Sequence, residues 1–155
     1  MFEEKQKQDR WSEIREWANR SSKSRRRWQQ KTAYFQQLDQ DYLRFLVPKG
    51  CRVLALGCGV GTKLAELDPA VGVGVDISDE KVKLAREAYP TLTFHVGNME
   101  DPTLLDQLQR SGPYDVILLI DSLGYAWDIQ DFLEQLHIVC HENTRIINAS
   151  YSYLW

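Results

Sequence analysis

Three glycines at alternate positions are the first residues in this 155-residue chain whose type and spacing could do chemistry. Gly57, Gly59 and Gly61 follow a continuous apolar run, Val53 to Leu56, and precede residues at helical spacing from Thr62. Glycine allows a sharp turn and lets a ligand approach the backbone where a Cβ would otherwise stand. The free amide groups at the start of the next helix would point into the same turn. The stretch therefore predicts a nucleotide site.

The spacing of these glycines decides against one kind of nucleotide site. A dinucleotide-binding turn has the pattern G-x-G-x-x-G, in which the third glycine packs the helix against the strand. Counted from Gly57, the last position of that pattern is Thr62, and counted from Gly59 it is Leu64. The pattern present is G-x-G-x-G, so residues at the ends of later strands must identify the ligand.

An acidic residue follows the next apolar run. Asp76 stands 15 residues after Gly61, at the end of the valine-rich run Val71 to Val75. In nucleotide-binding α/β folds a carboxylate at this place accepts hydrogen bonds from the ribose hydroxyls. The alternative is a helix-capping or loop acid, because Ser78 and Asp79 follow closely. The spacing favours the ribose-binding role.

The glycine pattern resembles the first motif of the class I S-adenosylmethionine-dependent methyltransferases, and the resemblance covers roughly Tyr34 to Tyr153. Asp76, the stretch Val96 to Asp101 and the stretch Tyr114 to Asp128 match the ends of the second, third and fourth strands in that family. The resemblance implies that the chain binds S-adenosylmethionine at these strand ends and under an N-terminal helix. The cofactor-binding residues that it implies are Tyr34, Gly57, Cys58, Gly59, Gly61, Asp76, Ile77, Asn98, Met99, Glu100, Ile120, Asp121 and Ser122.

The same resemblance implies roles for several of these side chains. Asn98, where an aspartate is more usual, would hold the adenine amino group through its amide oxygen, and Met99 would cover the adenine ring. The alternative for Asn98 is a turn residue. Residues 120–122 would border the sulfonium and the methyl acceptor. Asp121 is the candidate proton acceptor and Tyr125 a candidate wall residue, although transfer from an activated sulfonium mainly requires alignment.

Two features depart from the family pattern. Ala55 stands two residues before Gly57, where the family usually has an acid that organises the methionine end of the cofactor. The family usually continues after the fifth strand with a helix and an antiparallel strand pair, whereas this sequence stops at Trp155. We therefore expect weakened binding or a decayed site, a truncated core, and a fifth-strand edge that a second copy or a partner chain covers.

Strands and helices alternate from Arg52 onward. The predicted strands are 52–56, 71–75, 92–96, 114–120 and 144–151, and the predicted helices are 62–67, 79–89, 103–109 and 129–140. Such alternation gives right-handed crossovers and a parallel sheet with ligands at the carboxyl ends of its strands. The predicted fold class is α/β, with a doubly wound, mainly parallel Rossmann-like sheet of about five strands after two N-terminal helices.

Two amphipathic helices precede this sheet. Residues 3–20 have apolar residues at three-residue intervals, and residues 29–47 carry an aromatic stripe that begins at Tyr34. The stripe favours packing over a ligand cage, with Tyr34 as the residue that would fold over the cofactor. We therefore expect a helical arm or lid over residues 1–47 and an S-adenosylmethionine-binding core over residues 48–155.

Charge is unevenly distributed along the chain. Residues 1–50 hold 12 of the 19 Lys and Arg but 7 of the 22 Asp and Glu. A basic arm could bind nucleic acid or an anionic surface, and the alternative is a solvated helix face docked on the acidic body. The low sequence pI of about 5.6, and the absence of aromatic residues within Arg25 to Arg27, favour the alternative.

Composition limits the remaining possibilities. The hydrophobic content of 43% and charged content of 26% are typical of a soluble globular protein, with no run long enough for a membrane span and no signal peptide. Three cysteines without a C-x-x-C pair predict free thiols in a reducing cytoplasm. His137 and His141 flank Cys140, but no second ligand cluster exists, so no metal site is predicted.

These observations predict an S-adenosylmethionine-dependent methyltransferase that acts on a small-molecule acceptor. Two alternatives stay open. One is a catalytically silent cofactor-binding or interaction module, which Ala55 and the missing tail favour. The other is an RNA methyltransferase that uses the basic arm on phosphate.

Overall fold

The chain is described here by a computed structural model that covers residues 2–21 and 33–150. The helices are α1 (Phe2–Ser21), α2 (Ala33–Leu46), α3 (Thr62–Ala65), α4 (Asp79–Ala88), α5 (Pro102–Gln109) and α6 (Ile129–Gln135). The strands are β1 (Arg52–Leu56), β2 (Val71–Asp76), β3 (Thr93–Val96), β4 (Tyr114–Ile120) and β5 (Cys140–Ala149), with 3-10 turns at Leu123–Tyr125 and Leu136–Val139.

The five strands form one parallel sheet in the order β3-β2-β1-β4-β5. The central strands β1 and β4 consist almost entirely of side chains that are excluded from solvent. Successive side chains of a strand point to opposite faces, so each strand contributes to two cores. Leu54 and Ile117 lie in one core with α5 and α6, and Val53 and Val116 lie in the other with α2, α3 and α4. This arrangement confirms the predicted fold class.

The point where the strand order reverses lies between β1 and β4, and open α/β sheets bind their ligands at such a point. The Ser122 hydroxyl donates a hydrogen bond to the Leu56 carbonyl at 2.7 Å and so ties the carboxyl ends of these two strands together. A Cβ added to Gly57 would lie 2.4 Å from the Ser122 Cβ. Glycine is therefore required at position 57 by this close approach within the protein.

The region after α6 differs from its predicted boundaries. The sequence pattern predicts one helix over residues 129–140, but α6 ends at Gln135 and a 3-10 turn covers Leu136–Val139. Cys140 already belongs to β5, where it pairs with Tyr114 of β4. The predicted end of this helix is therefore wrong, because pairing with the sheet overrides the helical pattern.

The strand β5 begins earlier than the sequence predicts. Thr144, the predicted first residue, lies inside the strand, where its hydroxyl donates to the Tyr114 carbonyl at 2.6 Å. The register shifts between Tyr114 and Val116, so a bulge absorbs the extra residues of β5. Within residues 33–150 β5 pairs with β4 alone. The expected second copy or partner at its outer edge stays a prediction, and residue 151 lies outside the described residues.

The helix α2 packs on the sheet with a different face from the predicted one. Five of its large apolar residues are exposed, namely Tyr34, Phe35, Leu38, Tyr42 and Phe45. Gln40 and Leu43 are buried instead, and Leu43 joins Val47 in the core that contains Ala55 of β1. The predicted packing of the aromatic stripe is therefore wrong for the described part of this helix. Its predicted start at residues 29–32 lies outside the described residues.

The helix α1 lies across the carboxyl-end edge of the sheet. Trp11 packs against the core, Ala18 is buried, and Asn19 accepts a hydrogen bond from the Ser78 hydroxyl at the start of α4. These contacts place the apolar side of α1 over the strand ends. Over residues 2–21 and 33–150, no helix is both long enough and apolar enough to cross a bilayer.

Candidate functional site

The turn between β1 and α3 is fastened to β2 by its own amide groups. The N–H groups of Gly57 and Cys58 both donate to the Val75 carbonyl at 2.8 Å. The Gly59 N–H donates to the Asp76 carboxylate at 2.8 Å. These three amide groups precede α3, so the predicted free amide groups at the start of that helix are not the ones used here. The effect of the three hydrogen bonds is to fix the shape of the turn.

Two of the three glycines of the motif are required by packing, and one is open to the outside. A Cβ at Gly61 would lie 2.7 Å from the Phe94 ring, so this glycine lets the start of α3 approach β3. A Cβ at Gly59 would meet nothing within 4 Å, and its φ of 60° lies in the left-handed region. Gly57 and Gly61 are thus explained by contacts within the protein. At Gly59 the space beside the backbone is open, so a ligand can approach the turn there.

Asp76 is held in a fixed orientation at the end of β2. Asp76 is 7% exposed. One of its carboxylate oxygens accepts a hydrogen bond from Gly59 N–H at 2.8 Å, and the other accepts one from Ser78 N–H at 2.9 Å. The N-cap of α4 is Ser78, whose hydroxyl accepts from Lys81 N–H. The helix-capping role, which was the alternative for Asp76, therefore belongs to Ser78.

A first cavity of about 560 Å³ opens beside Asp76. From the sheet side it is lined by Gly57, Val75, Asp76, Ile77, Lys81, Gly97, Met99, Ile120, Asp121, Ser122 and Tyr125. From α1 it is lined by Trp11, Ile14, Trp17, Ala18 and Ser21. The strand ends supply its polar groups, and α1 supplies an apolar, aromatic wall.

A second cavity of about 320 Å³ lies on the other side of the glycine turn. Its wall on α2 is formed by Ala33, Gln36, Gln37 and Gln40. The opposite side is formed by Ala55, Leu56, Gly57, Cys58, Gly59, Val60, Thr62, Lys63, Leu64, Glu66, Leu118, Ile120 and Asp121. The two cavities share Gly57, Ile120 and Asp121, so they meet at the carboxyl ends of β1 and β4.

Most of the residues that the sequence singles out border one of these cavities. The first cavity brings together Gly57, Asp76, Ile77, Met99, Ile120, Asp121, Ser122 and Tyr125. The second has Gly57, Cys58, Gly59, Ile120 and Asp121. Four predicted residues border neither cavity, namely Tyr34, Gly61, Asn98 and Glu100.

Tyr34, the side chain that was expected to cover the cofactor, borders neither cavity. Tyr34 is 73% exposed and packs edge-on against the Phe35 ring at 5.6 Å between centroids. The helix that covers the first cavity is α1, with Trp17 set 6.3 Å from the Tyr125 ring between centroids. The reason is that α2 buries Leu43 against the sheet, which turns Tyr34 outward.

The residues after β3 make a local turn. The Asn98 side-chain oxygen, expected to hold the adenine amino group, accepts from Glu100 N–H at 3.0 Å, as a turn-forming asparagine does. One carboxylate oxygen of Glu100 accepts from Trp127 N–H at 3.0 Å, and the other is buried without a partner among the described residues. Of this stretch, Gly97 and Met99 face the first cavity.

Asp121 and Tyr125 follow β4 at the place where the two cavities meet. Asp121 has a φ of 53°, unusual for a residue other than glycine, and its N–H donates to the Ala149 carbonyl at 2.8 Å. Tyr125 receives a hydrogen bond from the Arg10 guanidinium at its carbonyl oxygen, at 3.4 Å. Backbone contacts on both sides therefore fix the loop that presents these two side chains.

The thiol of Cys58 is not set up as a nucleophile. Burial raises the pKa of the Cys58 thiol far above its ordinary value, and the negative charge of Asp76 raises it further. The thiolate is the reactive form of cysteine. Cys58 therefore stays protonated, and its Sγ fills space close to Gly74.

His137 and His141 do not lie on one helix, because His137 is in the 3-10 turn Leu136–Val139. His141 lies in β5, where its Nε2 is 3.1 Å from the Asp115 carboxylate. The Arg52 N–H donates to Asp115 at 2.7 Å, and this bond lowers the pKa of that carboxyl group, with His141 adding to the shift. Over the described ranges no three His, Cys, Asp or Glu side chains are grouped to hold a metal ion. The basic run at residues 25–27 lies outside those ranges.

Sequence reasoning missed several residues of the site. Lys81, in the first turn of α4, is 4% exposed and borders the first cavity. Gln40 is 3% exposed and borders the second cavity. The three-residue spacing of Trp11 and Trp17 around Ile14 was the signal that could have indicated the α1 wall.

Comparison with known proteins agrees with this geometry. A family model described as a methyltransferase domain matches residues 48–154. A magnesium-protoporphyrin O-methyltransferase from Rhodobacter capsulatus is 38% identical over 96 residues, which are 56% of this chain and 40% of that protein. The chain thus spans less than half the length of this curated relative.

Solved structures share the fold at low sequence identity. A TehB-like S-adenosylmethionine-dependent methyltransferase from Corynebacterium glutamicum has a TM-score of 0.65 at 19% identity, over 83% of this chain and 71% of that one. The magnesium protoporphyrin IX methyltransferase of Synechocystis was solved with bound S-adenosylhomocysteine. It has a TM-score of 0.64 at 20% identity, over 83% of this chain and 67% of that one.

The family match covers more than half of the chain, and it coincides with the sheet whose strand ends line both cavities. The predicted resemblance is thereby confirmed, and the chain belongs to the methyltransferase domain family, with the class I fold.

Proposed function

We propose that this chain binds S-adenosylmethionine with the adenosyl group in the first cavity and Asp76 on its ribose. The observation that carries the proposal is the state of the Asp76 carboxylate: the residue is buried, its two oxygens are fixed by two backbone amides, and it lines that cavity. A carboxylate has about four acceptor positions on its two oxygens. Gly59 and Ser78 use two, so two are left for the two hydroxyls of a ribose.

The rest of the cavity fits an adenosyl group. Ile77 and Met99 border it with apolar surface, which suits the two faces of an adenine ring. Its volume of about 560 Å³ lies within the usual range for small-ligand sites, about 300 to 1,000 Å³. Bound S-adenosylmethionine supplies a methyl group on a positively charged sulfur, so the protein mainly has to hold donor and acceptor in line.

The shared boundary of the two cavities is the proposed place of methyl transfer. Asp121 borders both cavities there, and Tyr125 borders the first. Asp121 is positioned to accept a proton from an acceptor group that has one to lose. The Tyr125 ring, set against Trp17, forms the wall against which the acceptor packs.

The acceptor is proposed to be a small molecule with an apolar or aromatic body. The α1 wall of Trp11, Ile14 and Trp17 offers large apolar surface and no charge. The relative from Rhodobacter capsulatus is named for a magnesium porphyrin, which makes that compound the first acceptor to test. A cytoplasmic location is proposed with it, because the three cysteines are free thiols.

Two measurements test this function. Titration with S-adenosylhomocysteine should raise the melting temperature in proportion to the logarithm of ligand concentration, because the ligand binds the native state alone. Incubation with methyl-labelled S-adenosylmethionine and magnesium protoporphyrin should then transfer the label to the porphyrin. An unchanged melting temperature at millimolar ligand would contradict the binding proposal.

A second candidate is a module that binds the cofactor without transferring its methyl group. Ala55 favours it, because this buried residue borders the second cavity where the family usually has an acid. Saturable binding of S-adenosylmethionine, with no labelled product from a panel of small acceptors, would support the silent module over the enzyme.

A further inference from the structure

The second cavity offers polar groups that the first cavity lacks. Its α2 wall contains Gln36, Gln37 and Gln40, and Lys63 borders it from α3. The far side of the first cavity is the apolar α1 wall. A ligand with a sugar on Asp76 and a zwitterionic end would place that end among polar groups, because burying a charge against apolar side chains is costly.

The two cavities adjoin each other at the glycine turn. They meet at Gly57, Ile120 and Asp121, so no side chain of the glycine turn stands between them at position 57. A ligand held on Asp76 can therefore extend past Gly57 into the second cavity. The sulfonium of the proposed donor would then lie at this boundary.

Gln40 is the best-defined polar group of the second cavity. It is 3% exposed, and its Nε2 donates to the Lys63 carbonyl oxygen at 3.3 Å. Because a carbonyl oxygen only accepts, this contact fixes which end of the amide is nitrogen. Its Oε1 accepts no hydrogen bond from the described residues and is accessible to solvent, so an acceptor is left for a ligand.

We propose that the second cavity holds the amino-acid end of the methyl donor and that Gln40 accepts a hydrogen bond from its ammonium group, in place of an acid at position 55. The inference rests on the proposed function. Ala55 borders the same cavity, and its small side chain leaves room for the ammonium group. Gln40 borders that room from the α2 side. The Lys63 ammonium gives one of its three donors to Asp39 at 3.0 Å and can direct another to the ligand carboxylate.

Two ligands that differ only at this end test the proposal. S-Adenosylhomocysteine carries the amino-acid end, whereas 5′-methylthioadenosine has the same adenosyl thioether without it. The variants Gln40→Leu and Lys63→Met should each weaken S-adenosylhomocysteine about tenfold in calorimetry, because each removes a hydrogen bond to a charged group. Both should leave the affinity for 5′-methylthioadenosine unchanged, which also shows that the variant is folded.

A matched control uses a glutamine far from the site. Gln109 is exposed on α5 and borders neither cavity, so Gln109→Leu should change neither affinity. Equal weakening of both ligands by Gln40→Leu, or no weakening of either, would overturn the role of Gln40. Failure of the unaltered chain to bind either ligand would instead overturn the proposed function.

Discussion

The two cavities differ in the helix that completes each of them. The first is closed by α1 with apolar and aromatic side chains, and the second is closed by α2 with three glutamines. Both helices look amphipathic in the sequence, and α2 has the stronger apolar stripe. Yet α2 leaves that stripe exposed and turns Gln40 inward beside Leu43. The packed face of α2 is set by Leu43, which lies in the core with Val47 and Ala55, and this packing brings Gln40 to the second cavity.

The largest effect is expected at the residue that anchors the first cavity. Asp76→Ala should weaken both S-adenosylhomocysteine and 5′-methylthioadenosine by roughly 500-fold, because two charge-assisted hydrogen bonds to the ribose are lost. Calorimetry with the two ligands measures this. Asp79→Ala, an exposed acid three residues along the chain, is the control and should bind like the unaltered chain. Loss of one ligand alone would contradict a shared ribose contact.

The next prediction concerns the packing face of α2. Leu43 is 4% exposed and Phe45 is 81% exposed. Leu43→Ala should lower the free energy of unfolding by about 3 kcal/mol through a core cavity. Phe45→Ala should change it by less than about 0.5 kcal/mol, as exposed positions usually do. Chemical denaturation compares the two variants, and a larger loss for Phe45→Ala would show that the aromatic stripe is the packed face.

A third prediction separates the α1 wall from the cofactor contacts. Trp17→Ala should lower kcat/KM for the acceptor about tenfold, since an aromatic contact is worth about 1 kcal/mol beyond its buried area. The affinity for S-adenosylhomocysteine should change much less. Steady-state kinetics and calorimetry measure the two quantities. Arg15→Ala, an exposed neighbour on the same helix, is the control. A loss of cofactor affinity that matches the loss of turnover would assign Trp17 to the cofactor.

The smallest effect is expected from restoring the acid in the second cavity. Ala55→Glu should raise the affinity for S-adenosylhomocysteine only about threefold, because at this buried position the cost of desolvating the new carboxylate offsets most of its attraction to the ligand ammonium. The affinity for 5′-methylthioadenosine should not rise. In this background Gln40→Leu should cost less than in the unaltered chain, since both groups serve one ammonium. Calorimetry that shows no gain, or a loss, would reject this role of position 55.

The sheet was predictable from the sequence because its strands are short apolar runs between turn residues. Buried parallel strands are nearly continuous in hydrophobicity, and the runs at residues 52–56 and 114–120 have this form. The carboxyl ends of such strands must meet at one edge, so the sequence alone is enough to place Asp76 and Asp121 beside the same site.

Elements outside the sheet were harder to predict because tertiary contacts decide them. The stretch at residues 136–140 keeps a helical pattern, but Cys140 pairs with Tyr114 and ends the helix early. Which face of α2 packs on the sheet depends on how Leu43 and Val47 fit above β1. The periodicity of the helix alone does not predict that fit.

The burial of Gln40 beside the second cavity could not be predicted from its residue type. Gln40 lies on what the sequence presents as the polar side of α2, and its burial comes from the closeness of α3, where Lys63 receives its amide. Asn98 shows the reverse case. Its oxygen already accepts from Glu100 N–H within the turn, and the adenine contact that its type and position suggested stays a prediction.

A crystal structure of the chain with S-adenosylhomocysteine would show directly whether Asp76 holds the ribose. We expect both ribose hydroxyls within hydrogen-bond distance of the Asp76 carboxylate, the adenine between Ile77 and Met99, and the ammonium group at Gln40. A complex in which Asp76 makes no contact with the ribose, or in which the ligand lies outside the two cavities, would show that Asp76 does not anchor the cofactor.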